Sequence, residues 1–110
     1  MIEIEIHPRE GVNAYTLLRS RVHRAATWYW GNRAKTRLRH KQSEGWVDLK
    51  RSGRMVTARV VPKSSRDVFY LAEKLTGRLV AWFAGDLAGV HVRFTGARPR
   101  TKRARKRRRR

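Results

Sequence analysis

The sequence predicts an α+β fold, a small antiparallel sheet with two helices on one of its faces, followed by an arginine-rich C-terminal tail. Three observations lead there. Apolar residues alternate with polar ones in four short runs, and recur at steps of three and four in two longer segments. Clusters containing Pro, Gly, Asn and Ser separate these stretches. In chain order the pattern reads β-α-β-β-α-β, with one extra strand at 35–41 as an open alternative, and raises the ferredoxin-like split βαβ arrangement as the expected topology.

Each element follows from local chemistry. Ile2, Ile4 and Ile6 alternate with Glu3, Glu5 and His7, giving a strand with one apolar face that Pro8 and Glu10-Gly11 end. From Val12 to Trp30 the period changes. Tyr15, Leu18, Val22, Ala25 and Tyr29 fall on one helical face, with Asn13 placed to cap the helix and Gly31-Asn32 to stop it. Arg21, Arg24 and Trp28 share a neighbouring face of that predicted helix. Lys35 to Lys41 reads as extended chain or loop, with Leu38 its single apolar residue.

Gly45–Lys50 and Arg54–Val61 predict a hairpin turning at Arg51-Ser52-Gly53. Val47, Leu49, Val56, Ala58 and Val60 would face the core, and Trp46, Asp48, Lys50, Thr57 and Arg59 the other way. Pro62 closes it. Ser64 with Asp67 three residues later is a capping-box-like start, from which Val68, Ala72, Leu75, Leu79 and Trp82 continue a second amphipathic helix to near Gly85. Val90, Val92 and Phe94 alternate with His91, Arg93 and Thr95 in a last strand. Residues 1–96 should therefore form one domain, and 97–110 a disordered tail.

Charge points to the partner. The 110 residues hold 28 Lys and Arg against 8 Asp and Glu, a formal +20. The tail supplies Arg98, Arg100, Lys102, Arg103, Arg105 and Lys106, then Arg107, Arg108, Arg109 and Arg110, with no acid among them. Such a segment cannot bury a core. Each of its cations brought near a phosphate releases condensed counterions, so it favours any polyanion in a salt-sensitive way.

The domain has its own excess. Between Arg19 and Lys63 the only acids are Glu44 and Asp48. Arg19, Arg21 and Arg24 lie on the first predicted helix, and Arg33, Lys35, Arg37, Arg39 and Lys41 follow it. Lys50, Arg51, Arg54 and Arg59 belong to the hairpin. Together they are expected to form one continuous nucleic-acid-binding surface, weighed against a merely solvated face of a basic protein. Trp28 and Trp46 lie among them as candidates for stacking on unpaired bases, the competing role being core packing. The second helix, with Asp67, Glu73 and Asp86 in or beside it, is expected to stand outside this surface.

Other classes find less support. The strand Arg54–Val61 has no aromatic residue, unlike the base-stacking strand of an RNA-recognition motif. The chain has no cysteine, and it shows no Walker loop or zinc-finger spacing, so no metal or other cofactor is implied. His7 and His91, on strands that would be neighbours, are candidates for acid–base cleavage of RNA beside Glu3 and Glu5. Cross-strand charge pairs with Arg59 or Arg93 are the plainer role for these strand residues. No apolar run approaches the roughly 20 residues that cross a bilayer, so a soluble protein of the cytoplasm, or of a nucleus, is expected. The sequence thus predicts non-enzymatic binding of nucleic acid, RNA ahead of DNA, as in a ribonucleoprotein assembly. DNA packaging is the main rival and a histidine-dependent ribonuclease the third reading.

Overall fold

Alternating strands leave one apolar face each, and in the computed structural model, which describes residues 1–94, those faces are gathered into a single sheet. The chain runs β1 (Ile2–Pro8), α1 (Ala14–Val22), β2 (Trp28–Trp30), β3 (Arg37–His40), β4 (Trp46–Ser52), β5 (Met55–Val61), α2 (Ser65–Phe83) and β6 (Leu87–Phe94). The strands are hydrogen-bonded in the order β2-β3-β4-β5-β1-β6, every neighbouring pair antiparallel. The fold is α+β with two helices, as expected, but its order is β-α-β-β-β-β-α-β, so the six-element expectation is corrected by two added strands. The expected tail, 97–110, lies outside the described residues.

The first added strand comes from the helix expected over Val12–Trp30. That helix starts as anticipated, the Asn13 side chain accepting the Thr16 N–H at 3.1 Å, but stops at Val22. Beyond it, Thr27-Trp28-Tyr29-Trp30 is a β-branched and aromatic run that suits a pleated strand better than a helix. It pairs with β3, Trp28 opposite His40 and Trp30 opposite Leu38. The apolar spacing that extended the helix to Tyr29 was a coincidence of period: Tyr29 is exposed and Trp28 buried. The second added strand is β3, the segment that had read as extended chain or loop.

The hairpin and its core-facing residues are as expected, but its turn is Gly53-Arg54, with Arg51 and Ser52 still paired in β4. Val47 pairs with Val60 and Leu49 with Ala58, with Gly53 at φ 62° in the first of the two turn positions. Ile4 extends the same row, paired with Ala58 on one side and Val92 on the other. These side chains face Tyr15, Leu18 and Val22 of α1 and Leu71, Leu75, Leu79 and Phe83 of α2, all buried. Both helices therefore cover one face of the sheet, and the opposite face stays open.

Asp67 fixes the start of α2 through the capping-box contact the spacing anticipates, the Ser64 backbone N–H donating to its carboxylate, and through donors from outside the helix. Ser64 Oγ accepts the Asp67 N–H at 3.4 Å, while the Asp67 carboxylate accepts from the Ser43 hydroxyl at 2.8 Å and the Lys63 N–H at 3.0 Å. Those donors, the Ser43 hydroxyl foremost, hold its pKa below the usual carboxylate value despite burial. The loop before β4 is thereby tied to the helix. No helix of the described residues is long and apolar enough to cross a membrane.

Candidate nucleic-acid interface

Period-two alternation divides the basic residues between the two sides of the sheet. On the open face, Arg37, Asp48, Arg59, Glu3 and Arg93 form one cross-strand row. Its charges are matched: Arg37 donates to Asp48 at 3.2 Å and Arg59 to Glu3 at 3.3 Å, while Arg93 donates to Glu5 in the next row at 2.6 Å. Lys50 lies in that next row, beside Thr57 and Glu5. Trp46 stands on this face as expected, but the protein's own cations occupy its ring. Arg37, Arg39 and Lys63 lie 4.5, 5.5 and 5.1 Å from its centroid.

His7 and His91 do meet on this face. Both approach the same Glu5 oxygen, at 3.3 and 3.5 Å, and the other oxygen takes Arg93. The Glu5 pKa is lowered, chiefly by the Arg93 hydrogen bond and then by His7. The two imidazoles are 44% and 66% exposed on a flat strand surface. One carboxylate shared by His91 and Arg93 of β6 and by His7 of its own strand ties β1 to β6.

The helix side differs. There a cavity of about 470 Å³ opens between the end of α1, the turn 23–27, β2–β3 and α2. Four cations line it: Arg21 and Arg24 from α1, Lys74 and Arg78 from α2. Its lining includes no carboxylate, and none of the four forms an ion pair among the described residues. Tyr70, Lys74, Arg78 and Trp82 are spaced by four, which sets them in one row along α2. Arg21 lies 5.1 Å from the Trp82 ring centre and Lys74 5.5 Å from that of Tyr70. Small residues, Ala25 and Ala26, leave the mouth open.

Trp28 and His40 belong to this side. They are only 2% and 4% exposed and meet edge-on, with centroids 4.9 Å apart. Trp28 is thus a core residue at the edge of the cavity rather than a free stacking platform. His40 Nδ1 accepts the Gln42 N–H at 3.1 Å. Burial, and next the charge of Lys74, lower the His40 pKa from the ordinary imidazole value.

The remaining predicted residues disperse. Arg19 and Lys35 line a second cavity with Arg24 and His23 beside α1. The Lys35 carbonyl accepts the Tyr15 hydroxyl at 2.9 Å, and Arg51 packs 4.4 Å from the centre of the Tyr15 ring. Arg33, Lys41 and Arg54 are exposed on turns. The predicted continuous surface is therefore interrupted by the sheet itself, with Arg37, Arg39, Lys50 and Arg59 on one side and Arg19, Arg21, Arg24, Lys35 and Arg51 on the other. Lys74 and Arg78 were missed, because α2 was weighed by its acids. The signal was present in the four-residue spacing Tyr70-Lys74-Arg78-Trp82. Glu73 lies outside that row, against Phe69 and Phe94, and Asp67 is buried.

Comparison of the chain with protein families, with curated proteins and with solved structures finds no match in any of the three.

Proposed function

We propose that the protein binds nucleic acid, RNA in preference to DNA, through the basic cleft between α1 and α2, with the arginine-rich residues 98–110 adding sequence-independent phosphate contacts. The supporting observation is the contrast between the two sides of the sheet. On the open face Arg37, Arg59 and Arg93 are matched by Asp48, Glu3 and Glu5, and Arg39 lies over Trp46, whereas Arg21, Arg24, Lys74 and Arg78 converge on a cavity with no acid in its lining. Unmatched cations around a concave aromatic surface favour a ligand that brings both negative charge and flat rings. RNA fits because its loops and bulges present unpaired bases together with phosphates. No chemical step is needed for such binding, and Glu5 pairs with His91 across strands and with His7 within β1.

The test titrates the full chain and residues 1–97 against single-stranded RNA, structured RNA and duplex DNA at several salt concentrations. The reading expects the shortened chain to keep a preference for RNA at reduced affinity. Binding that vanishes with the tail would refute the role of the domain, and tightest binding to duplex DNA would favour the packaging role instead.

A further inference from the structure

Resting on the nucleic-acid reading, we infer that the α1–α2 cleft holds one unpaired nucleotide of a single-stranded RNA segment, its phosphate among Arg21, Arg24, Lys74 and Arg78 and its base against Trp82 and Tyr70. Shape comes first. The cations surround a concavity of about 470 Å³, within the range of pockets that enclose small ligands. A duplex exposes its phosphates on convex ridges and keeps its bases stacked inside. It would touch the rim cations and leave the half-buried rings of Tyr70 and Trp82 uncovered. An unpaired nucleotide can enter, because its base is free to leave the stack.

The chemistry of the walls agrees. Arg21 lies over the Trp82 ring, and Lys74 and Arg66 over that of Tyr70, so a base stacks on either ring by taking the place of a cation that turns to its phosphate. Both rings belong to α2 and the cation over Trp82 to α1, so charge and aromatic face meet between the two helices. Base stacking on such rings tolerates any sequence, since every base has a π-face.

A path for the strand continues from the cleft. Arg24 lines both this cavity and the second one, where Arg19, His23 and Lys35 are its neighbours. A strand with one nucleotide in the cleft can pass over Arg24 and set its next phosphates against Arg19 and Lys35. Ten of the 13 residues 98–110 are cationic, so like charge disfavours them as an occupant of the cleft.

The experiment uses the full chain, a fluorescein-labelled single-stranded RNA and the blunt duplex of the same sequence, measured by anisotropy at one salt concentration. The single strand is expected to bind roughly ten-fold or more tightly than the duplex. Trp82→Leu should weaken single-strand binding about 5- to 150-fold, the range of one lost stack, with duplex binding nearly unchanged. A second measurement does not depend on that variant folding: photocrosslinking of 4-thiouridine RNA to the unaltered protein should map to Tyr70 or Trp82. Equal weakening of both ligands by a folded Trp82→Leu, or crosslinks on the open sheet face, would overturn the inference while leaving nucleic-acid binding in place. Failure of both ligands to bind would overturn the inference and the nucleic-acid reading together.

Discussion

Neutralising Arg24, Lys74 and Arg78 together by glutamine tests whether the cleft, and not overall charge, holds the ligand. All three side chains are exposed and have no ion-pair partner among the described residues, so the substitutions should leave the core undisturbed. On a single strand each phosphate contact contributes about 0.7 to the slope of log K against log salt. Three lost contacts should therefore flatten that slope by roughly 2. Removing three cations also takes the formal charge from +20 to +17, so a matched control is needed. Arg33, Lys50 and Arg54 changed to glutamine remove the same charge from exposed positions outside the cleft. A second control, Glu3→Gln with Arg59→Gln, deletes an ion pair of the open face at constant net charge. Fluorescence anisotropy between about 50 and 200 mM salt gives the slopes. The cleft variant should lose most and the Glu3–Arg59 variant almost nothing. Equal flattening by the cleft triple and the outside triple would refute the reasoning, since attraction would then be diffuse.

Three further outcomes concern stability. Gly45→Ala should lower the melting temperature, because a Cβ there would sit 2.6 Å from the Val61 carbonyl oxygen, a backbone atom that cannot swing aside; an unchanged melt would show that the loop yields. Trp28→Ala should cost about 3–5 kcal/mol in urea unfolding, as for a large core residue, whereas a loss of RNA affinity at unchanged stability would mean that the ring serves the ligand. The folded His40 pKa is depressed below 6.5, so the unfolded chain takes up this proton first as pH falls. That contribution to stability is complete above the unfolded value and is lost as pH falls from there through the folded one. The urea midpoint should drop across that window and the drop should shrink in His40→Gln; equal drops in both proteins would exclude His40 as its source.

Most of the sheet was legible because period-two alternation is dictated by the pleat: Ile2-Ile4-Ile6 and the Val47–Val60 hairpin needed nothing beyond the local sequence. The helix end was not. Ala25 and Tyr29 continue the three-and-four spacing of α1, and only the pairing of Trp28–Trp30 with β3, a contact between separate segments, ends the ambiguity. The site suffered for a related reason. Counting charges along the chain joined Arg24 to Arg37 and Arg39, but strand alternation sends Arg37 and Arg39 to the face opposite α1. The same counting hid Lys74 and Arg78 behind Glu73 and Asp67, whose side chains lie elsewhere. Charge per segment is a poor guide to charge per face, and the four-residue row on α2 was the better signal.

The two sides of the sheet also show why folding alone gives little reason for the cleft's charges. On the open face the carboxylates of Glu3, Glu5 and Asp48 are paired with arginines of neighbouring strands, so Arg37, Arg59 and Arg93 each stabilise a contact between strands. Arg21 has a local reason as well, since the last turn of α1 favours cations near its carbonyl ends. Lys74 and Arg78 have neither. They lie before the last turn of α2, which holds no basic residue, and no carboxylate approaches them among the described residues. Four cations converging on one cavity repel each other in the free protein, a cost that surface screening reduces but does not reverse. An anion bound in the cleft would turn that cost into a gain.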